Sequence, residues 1–237
     1  MHIPDGFLNG NVSGPMLAGG FGFLGYAFNR VRKSLKRRVK VKGLATFPPT
    51  DAGVETSSEF THESKQKMLR MATVGALIFA FQMMNFPVAQ GTSGHILGGV
   101  FAALVLGPFE GLLVIGIILA VQAALFGDGG IIAFGANVIN MGVIGTLGGW
   151  YLFRFMKFIR PLYLRIAFVS WLTVVIAAAA ASVELALSGT AALGDVLLAM
   201  VSVHALIGIG EALLTVGGIA YLRKQKQPIK IFSSQNA

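Results

Sequence analysis

The run LYLRIAFVSWLTVVIAAAAASVELAL, residues 162–187, decides the fold class. It is apolar from end to end, with Arg165 near one end and Glu184 near the other. A helix rises 1.5 Å per residue, so about 20 residues cross the roughly 30 Å hydrocarbon layer. This stretch is long enough. Working outward, six more apolar stretches lie at 14–29, 68–86, 94–106, 109–126, 131–153 and 195–222. The third is short, about 20 Å as a helix. Gly107-Pro108 reads as a turn, or as a kink in one long helix. A single helix over 94–126 would be about 50 Å long, which no bilayer accommodates without heavy tilt.

Composition agrees. Of 237 residues, 54% are hydrophobic, 12% are charged, 31 are Gly and none is Cys. A soluble domain averages about 25% charged and about 7% Gly. Gly is common where membrane helices pack closely. A disordered chain, a disulfide scaffold and a Cys-ligated metal site are excluded. The expectation is an all-α membrane protein, one integral domain over 1–237 with no sequence repeat of fixed period.

The net charge of +9, with pI near 10.1, would ordinarily suggest a nucleic acid or an anionic surface. Its placement says otherwise. With seven spans, the first, third and fifth connections and the C-terminal tail share a side. The first holds Arg30, Arg32, Lys33, Lys36, Arg37, Arg38, Lys40, Lys42, Lys65, Lys67 and, at the mouth of the next helix, Arg70. The fifth holds Arg154, Lys157, Arg160 and Arg165, and the tail holds Arg223, Lys224, Lys226 and Lys230. Those are all 19 Lys and Arg residues. The positive-inside rule then gives seven crossings, with the N-terminus outside and the C-terminus in the cytoplasm. Residues 30–67, with Pro48-Pro49 and the Thr/Ser/Glu-rich run 50–64, read as a flexible cytoplasmic loop. The basic half, Arg30–Lys42, would lie against anionic headgroups. The opening Met1-His2-Ile3-Pro4-Asp5-Gly6 has neither basic n-region nor apolar h-region, so no secretory signal is expected.

The outer side carries the chemistry. His2 and His95 fall there, while His62 falls in the cytoplasmic loop and reads as solvated. In the external segment 1–13, a retained Met1 offers a free amine. The amide N and imidazole Nδ1 of His2 then close a five-membered and a six-membered chelate ring. His95, after Gly91-Thr92-Ser93-Gly94, would supply a fourth nitrogen. Nitrogen-rich tetragonal sites favour Ni(II) or Cu(II), and imidazole also suits Co(II). Polar residues inside spans are costly and tend to line a bundle interior or a site. Here these are Gln122, Asn137, Asn140, His204 and Glu211, the last on the same helix face as His204 two turns on. They read as interhelical hydrogen bonds with a His204–Glu211 pair, or as supports that orient the metal-binding imidazoles. Asp5 and Asp128 either guide cations to the mouth or end turns.

The opening Met1–Phe7, the Gly91–His95 run, the stretch from Gln122 through Asp128-Gly129-Gly130 and Gly135-Ala136-Asn137 to Asn140-Met141-Gly142, and the His204…Gly208…Gly210-Glu211 segment together resemble the CbiM/NikM family. These are substrate-binding (S) components of energy-coupling factor transporters for nickel and cobalt. The resemblance implies a site formed by Met1, His2 and His95, with Ni2+ or Co2+ as bound substrate and no organic cofactor. It implies a transmembrane coupling protein (T component), two cytoplasmic ATPases and often a small accessory membrane protein as partners, in a bacterial or archaeal cytoplasmic membrane. No Walker A pattern is present, so ATP hydrolysis would fall to those partners. His-Ile-Pro-Asp looks more like the nickel members, and the loop at 30–67 departs from the family pattern. Ala72, Ala76 and Ala80 form a small-residue ridge suited to docking on the coupling protein, with Ala177–Ala181 as a rival. An intramembrane hydrolase using a metal, Ser93 with His95, or His204 with Glu211 lacks the His-Glu-x-x-His and Gly-x-Ser-x-Gly signatures. A secondary carrier would be expected to show two related halves.

Overall fold

The computed structural model describes residues 2–40, 56–87 and 93–233. The chain is predominantly helical. Helix α1 (Gly10–Leu35) leads into strand β1 (Lys36–Lys40), which pairs antiparallel with β2 (Thr56–Phe60). Helix α2 (His62–Gln82) follows, then the two-residue strands β3 (Phe86–Pro87) and β4 (Ser93–Gly94), α3 (Gly99–Leu106) and α4 (Pro108–Val121). Helix α4 continues as a π-helical turn, Gln122–Phe126. Helix α5 (Phe134–Asn137), a π-helical stretch over Val138–Gly148 and α6 (Gly149–Phe155) form one continuous rod. Helices α7 (Leu162–Leu187) and α8 (Leu193–Lys224) make an antiparallel pair, and α9 (Lys230–Ser233) closes the described chain. Among the described residues, three helical segments are long and apolar enough to cross a membrane: Pro108–Phe126, Leu162–Leu187 and Leu193–Lys224.

Around an apolar core, the exposed surface is far more apolar than a soluble protein's. Phe155, Leu198, Leu206 and Leu213 face outward at 70% exposure or more. Gln82, His95, Gln122, Asn137, Asn140, Glu184, His204 and Glu211 are buried. Apolar residues outside and hydrogen-bonding residues inside is the arrangement a hydrocarbon solvent selects. Helices meet at small residues. A Cβ on Gly135 would lie 2.3 Å from the Met16 carbonyl oxygen, so α1 and α5 cross with backbones in contact.

Two expectations need correcting. Residues 30–67 are not all loop: α1 runs to Leu35 and α2 begins at His62. Thr61 caps α2, its hydroxyl accepting the Ser64 N–H at 3.2 Å, and the Ser64 hydroxyl donates to the Leu35 carbonyl at 2.6 Å. The Thr61-x-x-Ser64 cap was the local signal for that start. Pro48-Pro49 and 41–55 lie outside the described residues. The third apolar stretch, read as 94–106, is helical only over Gly99–Leu106. Eight residues rise about 12 Å, well short of a crossing. All eight are buried, and a turn at Gly107 separates α3 from α4.

Candidate metal centre

The N-terminal segment folds back into the mouth of the bundle. Ile3 N–H donates to Asn137 Oδ1 at 2.8 Å, and Asn137 Nδ2 donates back to the Ile3 carbonyl at 3.1 Å. Gly130 N–H also reaches that carbonyl, at 2.9 Å. The Asp5 carboxylate accepts three successive amides, Ile131 at 3.0 Å, Ile132 at 2.7 Å and Ala133 at 3.3 Å. Asp5 therefore acts as an anchor that ends a turn. Gly129 has φ +94°, and a Cβ there would stand 3.1 Å from His2 Cδ2. Only glycine lets the loop adopt that shape against the imidazole.

His2 is thereby delivered to His95. His2 Nδ1 and His95 Nε2 are 3.0 Å apart, with ring centroids 4.5 Å apart and planes tilted by 30°. His95 Nδ1 lies 2.9 Å from the Ile96 carbonyl. A carbonyl only accepts, so Nδ1 carries the hydrogen and Nε2 presents its lone pair. His2 Nδ1 also meets Asp128 Oδ1 at 3.1 Å. Burial pushes the His2 imidazole below its ordinary 6.5, against the opposing hydrogen bond it donates to Asp128. That same hydrogen bond holds the Asp128 carboxyl below its usual range. One proton shared among His2, His95 and Asp128 is what a cation would displace. Two nitrogens bound at right angles to one ion, each at about 2.0–2.1 Å, stand about 2.9 Å apart. The observed pair fits that spacing.

Met1 and Gly91-Thr92 lie outside the described residues, as does the Ser93 side chain. Among the described residues, no group of three or more His, Asp or Glu side chains is arranged to hold a metal ion.

The surrounding polar residues divide. Gln122 borders His2, and His2 Nε2 and both Gln122 polar atoms are buried without a hydrogen-bond partner. Asn137 belongs to the site through Ile3. Asn140 does not: its Nδ2 donates to Glu184 Oε2 at 2.8 Å. The expected His204–Glu211 pair is absent. His204 Nδ1 faces the Met200 carbonyl at 2.7 Å. Glu211 accepts Leu97 N–H at 2.8 Å and Gly98 N–H at 2.9 Å, clasping the segment that carries His95 into α3. Gln82 Nε2 holds the same segment through the Leu97 carbonyl at 2.7 Å. Sequence reasoning missed Gln82 and Glu184, although a polar side chain inside an apolar run was the available signal. It also missed Asp128 as the partner of His2, a pairing across 126 positions that leaves no local trace. His62 is exposed, as expected. Ala72, Ala76 and Ala80 are exposed on α2, whereas Ala177, Ala178 and Ala181 are buried, so the rival ridge packs internally.

The fold matches that of a truncated transition metal transporter solved by crystallography, with TM-score 0.78 and 29% identity over 95% of this chain and 99% of that one. Residues 53–229 match the model of the cobalt uptake substrate-specific transmembrane region, CbiM. The chain belongs to that family. Relatives include a protein of Haloquadratum walsbyi described as a metal transport protein, 31% identical over 100% of this chain and 96% of its own length. Another, from Archaeoglobus fulgidus, is described as a fused nickel transport protein and is 33% identical over 94% of this chain. This chain spans 65% of that protein's length.

Proposed function

We propose that this chain is the substrate-specific subunit of an ATP-driven energy-coupling factor transporter, capturing Ni(II) or Co(II) at the outer face and delivering it inward. Nickel is favoured over cobalt on the His-Ile-Pro-Asp opening. The observation that carries the reading is the 3.0 Å approach of His2 Nδ1 and His95 Nε2, two buried imidazole nitrogens at the spacing of neighbouring ligands on one ion. The Met1 amine and the His2 amide complete the nitrogen set. Asn137, Asp5, Gln122 and Glu211 hold the ligands in place.

Helix α3 alone does not cross, but the six non-helical residues 93–98 ahead of it can add up to about 20 Å. Counted so, seven crossings with the N-terminus outside put all 19 basic residues on the cytoplasmic side and leave His2, Asp5, His95, Asp128 and Asp195 on a face free of Lys and Arg. A cation approaches such a face without repulsion. The chain does no covalent chemistry. A coupling protein docks on the Ala72–Ala76–Ala80 ridge, two ATPases supply the energy, and a small accessory membrane protein completes the complex. The location is a bacterial or archaeal cytoplasmic membrane.

The test is Ni(II) and Co(II) binding to purified protein with a free or an acetylated N-terminus. Acetylation, His2→Ala and His95→Ala each abolish tight binding, and His62→Ala leaves it intact. Unchanged affinity after acetylation refutes the chelate. Uptake that persists without any ATPase points instead to a secondary carrier. A hydrolase is disfavoured because both His95 nitrogens are engaged, by Ile96 and His2.

A further inference from the structure

His204 repeats the wiring of His95. Its Nδ1 is tied to a main-chain carbonyl, that of Met200 at 2.7 Å, so the hydrogen sits on Nδ1 and Nε2 presents a bare lone pair. That lone pair has no hydrogen-bond partner, and the residue is 0% exposed. Metal-binding imidazoles characteristically donate their second nitrogen to a carbonyl or carboxylate, which fixes the tautomer and leaves the other nitrogen to the ion. An unpaired acceptor buried in a bundle is destabilising, so something polar is to be expected there.

The position is near the first site. Glu211 clasps Leu97 and Gly98, two or three residues after His95. His204 lies seven residues before Glu211 on the same buried face of α8, about 10 Å further along the axis. The two to three extended residues back to His95 cover up to about 10 Å. His204 is also within electrostatic range of His95. On the facing helix, Trp171 Nε1 bonds the Ala205 carbonyl at 3.0 Å, which puts the α7 residues around 170 level with His204. The Ser170 hydroxyl there is likewise buried without a partner.

We propose that His204 Nε2 is a second nitrogen donor for the transported divalent cation, a station inside the bundle that the ion occupies after leaving the His2 and His95 nitrogens. This rests on the metal-capture reading. The ligand class is a late first-row divalent ion, for which a neutral imidazole is a good donor.

Two substitutions separate the lone pair from the fold. His204→Asn keeps an amide where Nδ1 stands, able to donate to Met200, and removes the atom at Nε2. His204→Gln restores an amide oxygen at the Nε2 position. The full chain is titrated with Co(II), read by its visible ligand-field bands and by equilibrium dialysis, with the N-terminus free and acetylated. With a free N-terminus, wild type and His204→Asn hold the tight ion within about threefold of each other. With the N-terminus acetylated, wild type keeps a weak site that His204→Asn weakens at least about tenfold and His204→Gln partly restores. If the acetylated chains bind alike, the lone pair serves a water and the station is refuted while the capture site stands. If His204→Asn also abolishes tight binding at the free N-terminus, His204 is structural support and the station is refuted. If unblocked wild type binds no Co(II) or Ni(II), the capture reading itself fails and the station with it.

Discussion

His2 does three things at once. It would provide an amide nitrogen, an imidazole nitrogen and a link to a free amine, and its neighbour Ile3 fastens it through Asn137. Asn137→Ala removes both bonds to Ile3, leaving the segment tied by Gly130 and Asp5. Loss of an outer partner of this kind lowers metal affinity about 10–100-fold, and isothermal titration should show it with the thermal midpoint little changed. Acid acts in a fixed direction. In the proposed chelate the amine, with a reference pKa near 7.7–8.0, must be deprotonated, as must the amide. Binding therefore weakens from pH 8 downward. The His2 imidazole, held below 6.5 by burial, adds its own loss only below that value. Its folded-state pKa is depressed, so docking of the N-terminal segment is also favoured above 6.5 and weakens as pH falls further. Dialysis at stepped pH should give a loss that steepens below 6.5. An earlier, single-step loss centred on 6.5 would contradict the burial.

Among elements, α3 matters most. It is too short to cross a bilayer, yet all eight residues are buried and its entry carries His95. Glu211 on α8 holds the Leu97 and Gly98 amides just ahead of it, and Gln82 steadies the same turn from α2. Glu211→Ala strands two buried amides, at about 1–3 kcal/mol for a lost buried partner, and releases His95. Both the thermal midpoint and Ni(II) affinity should fall. Glu211→Gln, which keeps one accepting oxygen, should fall between. The long apolar runs of α4, α7 and α8 were legible from composition alone, because a 20-residue apolar run has few other uses. His2 and His95 stood out as candidates because chelate chemistry is local, and the structure brings their rings within 3.0 Å. The brevity of α3, the π-helical stretch at Val138–Gly148 and the clasp by Glu211 were not, since each depends on contacts between residues far apart in sequence. The His204–Glu211 pairing failed for the same reason. Helix periodicity puts both on one face, but the Leu97 and Gly98 amides compete for the carboxylate and win.

For the whole molecule, the absence of cysteine makes the orientation directly testable. Ala191→Cys, in the turn between α7 and α8, should react with a membrane-impermeant maleimide in intact cells, and Gln227→Cys, beyond α8, only after permeabilisation. The reverse pattern would invert the topology. Ala76→Leu, on the exposed α2 ridge, should reduce co-purification with the proposed coupling protein while leaving Ni(II) affinity unchanged. A further consequence concerns synthesis. Ile3 is held by Asn137, 134 positions later, and Asp5 by residues 131–133. Ile3 and Asp5 therefore cannot dock until more than 120 further residues have been made. The loop to be closed is long, and its closure cannot precede insertion of α4 and α5. The proposed ion site is thus a late-maturing part of the protein, and a chain arrested before residue 130 should lack the docked His2 and bind no metal.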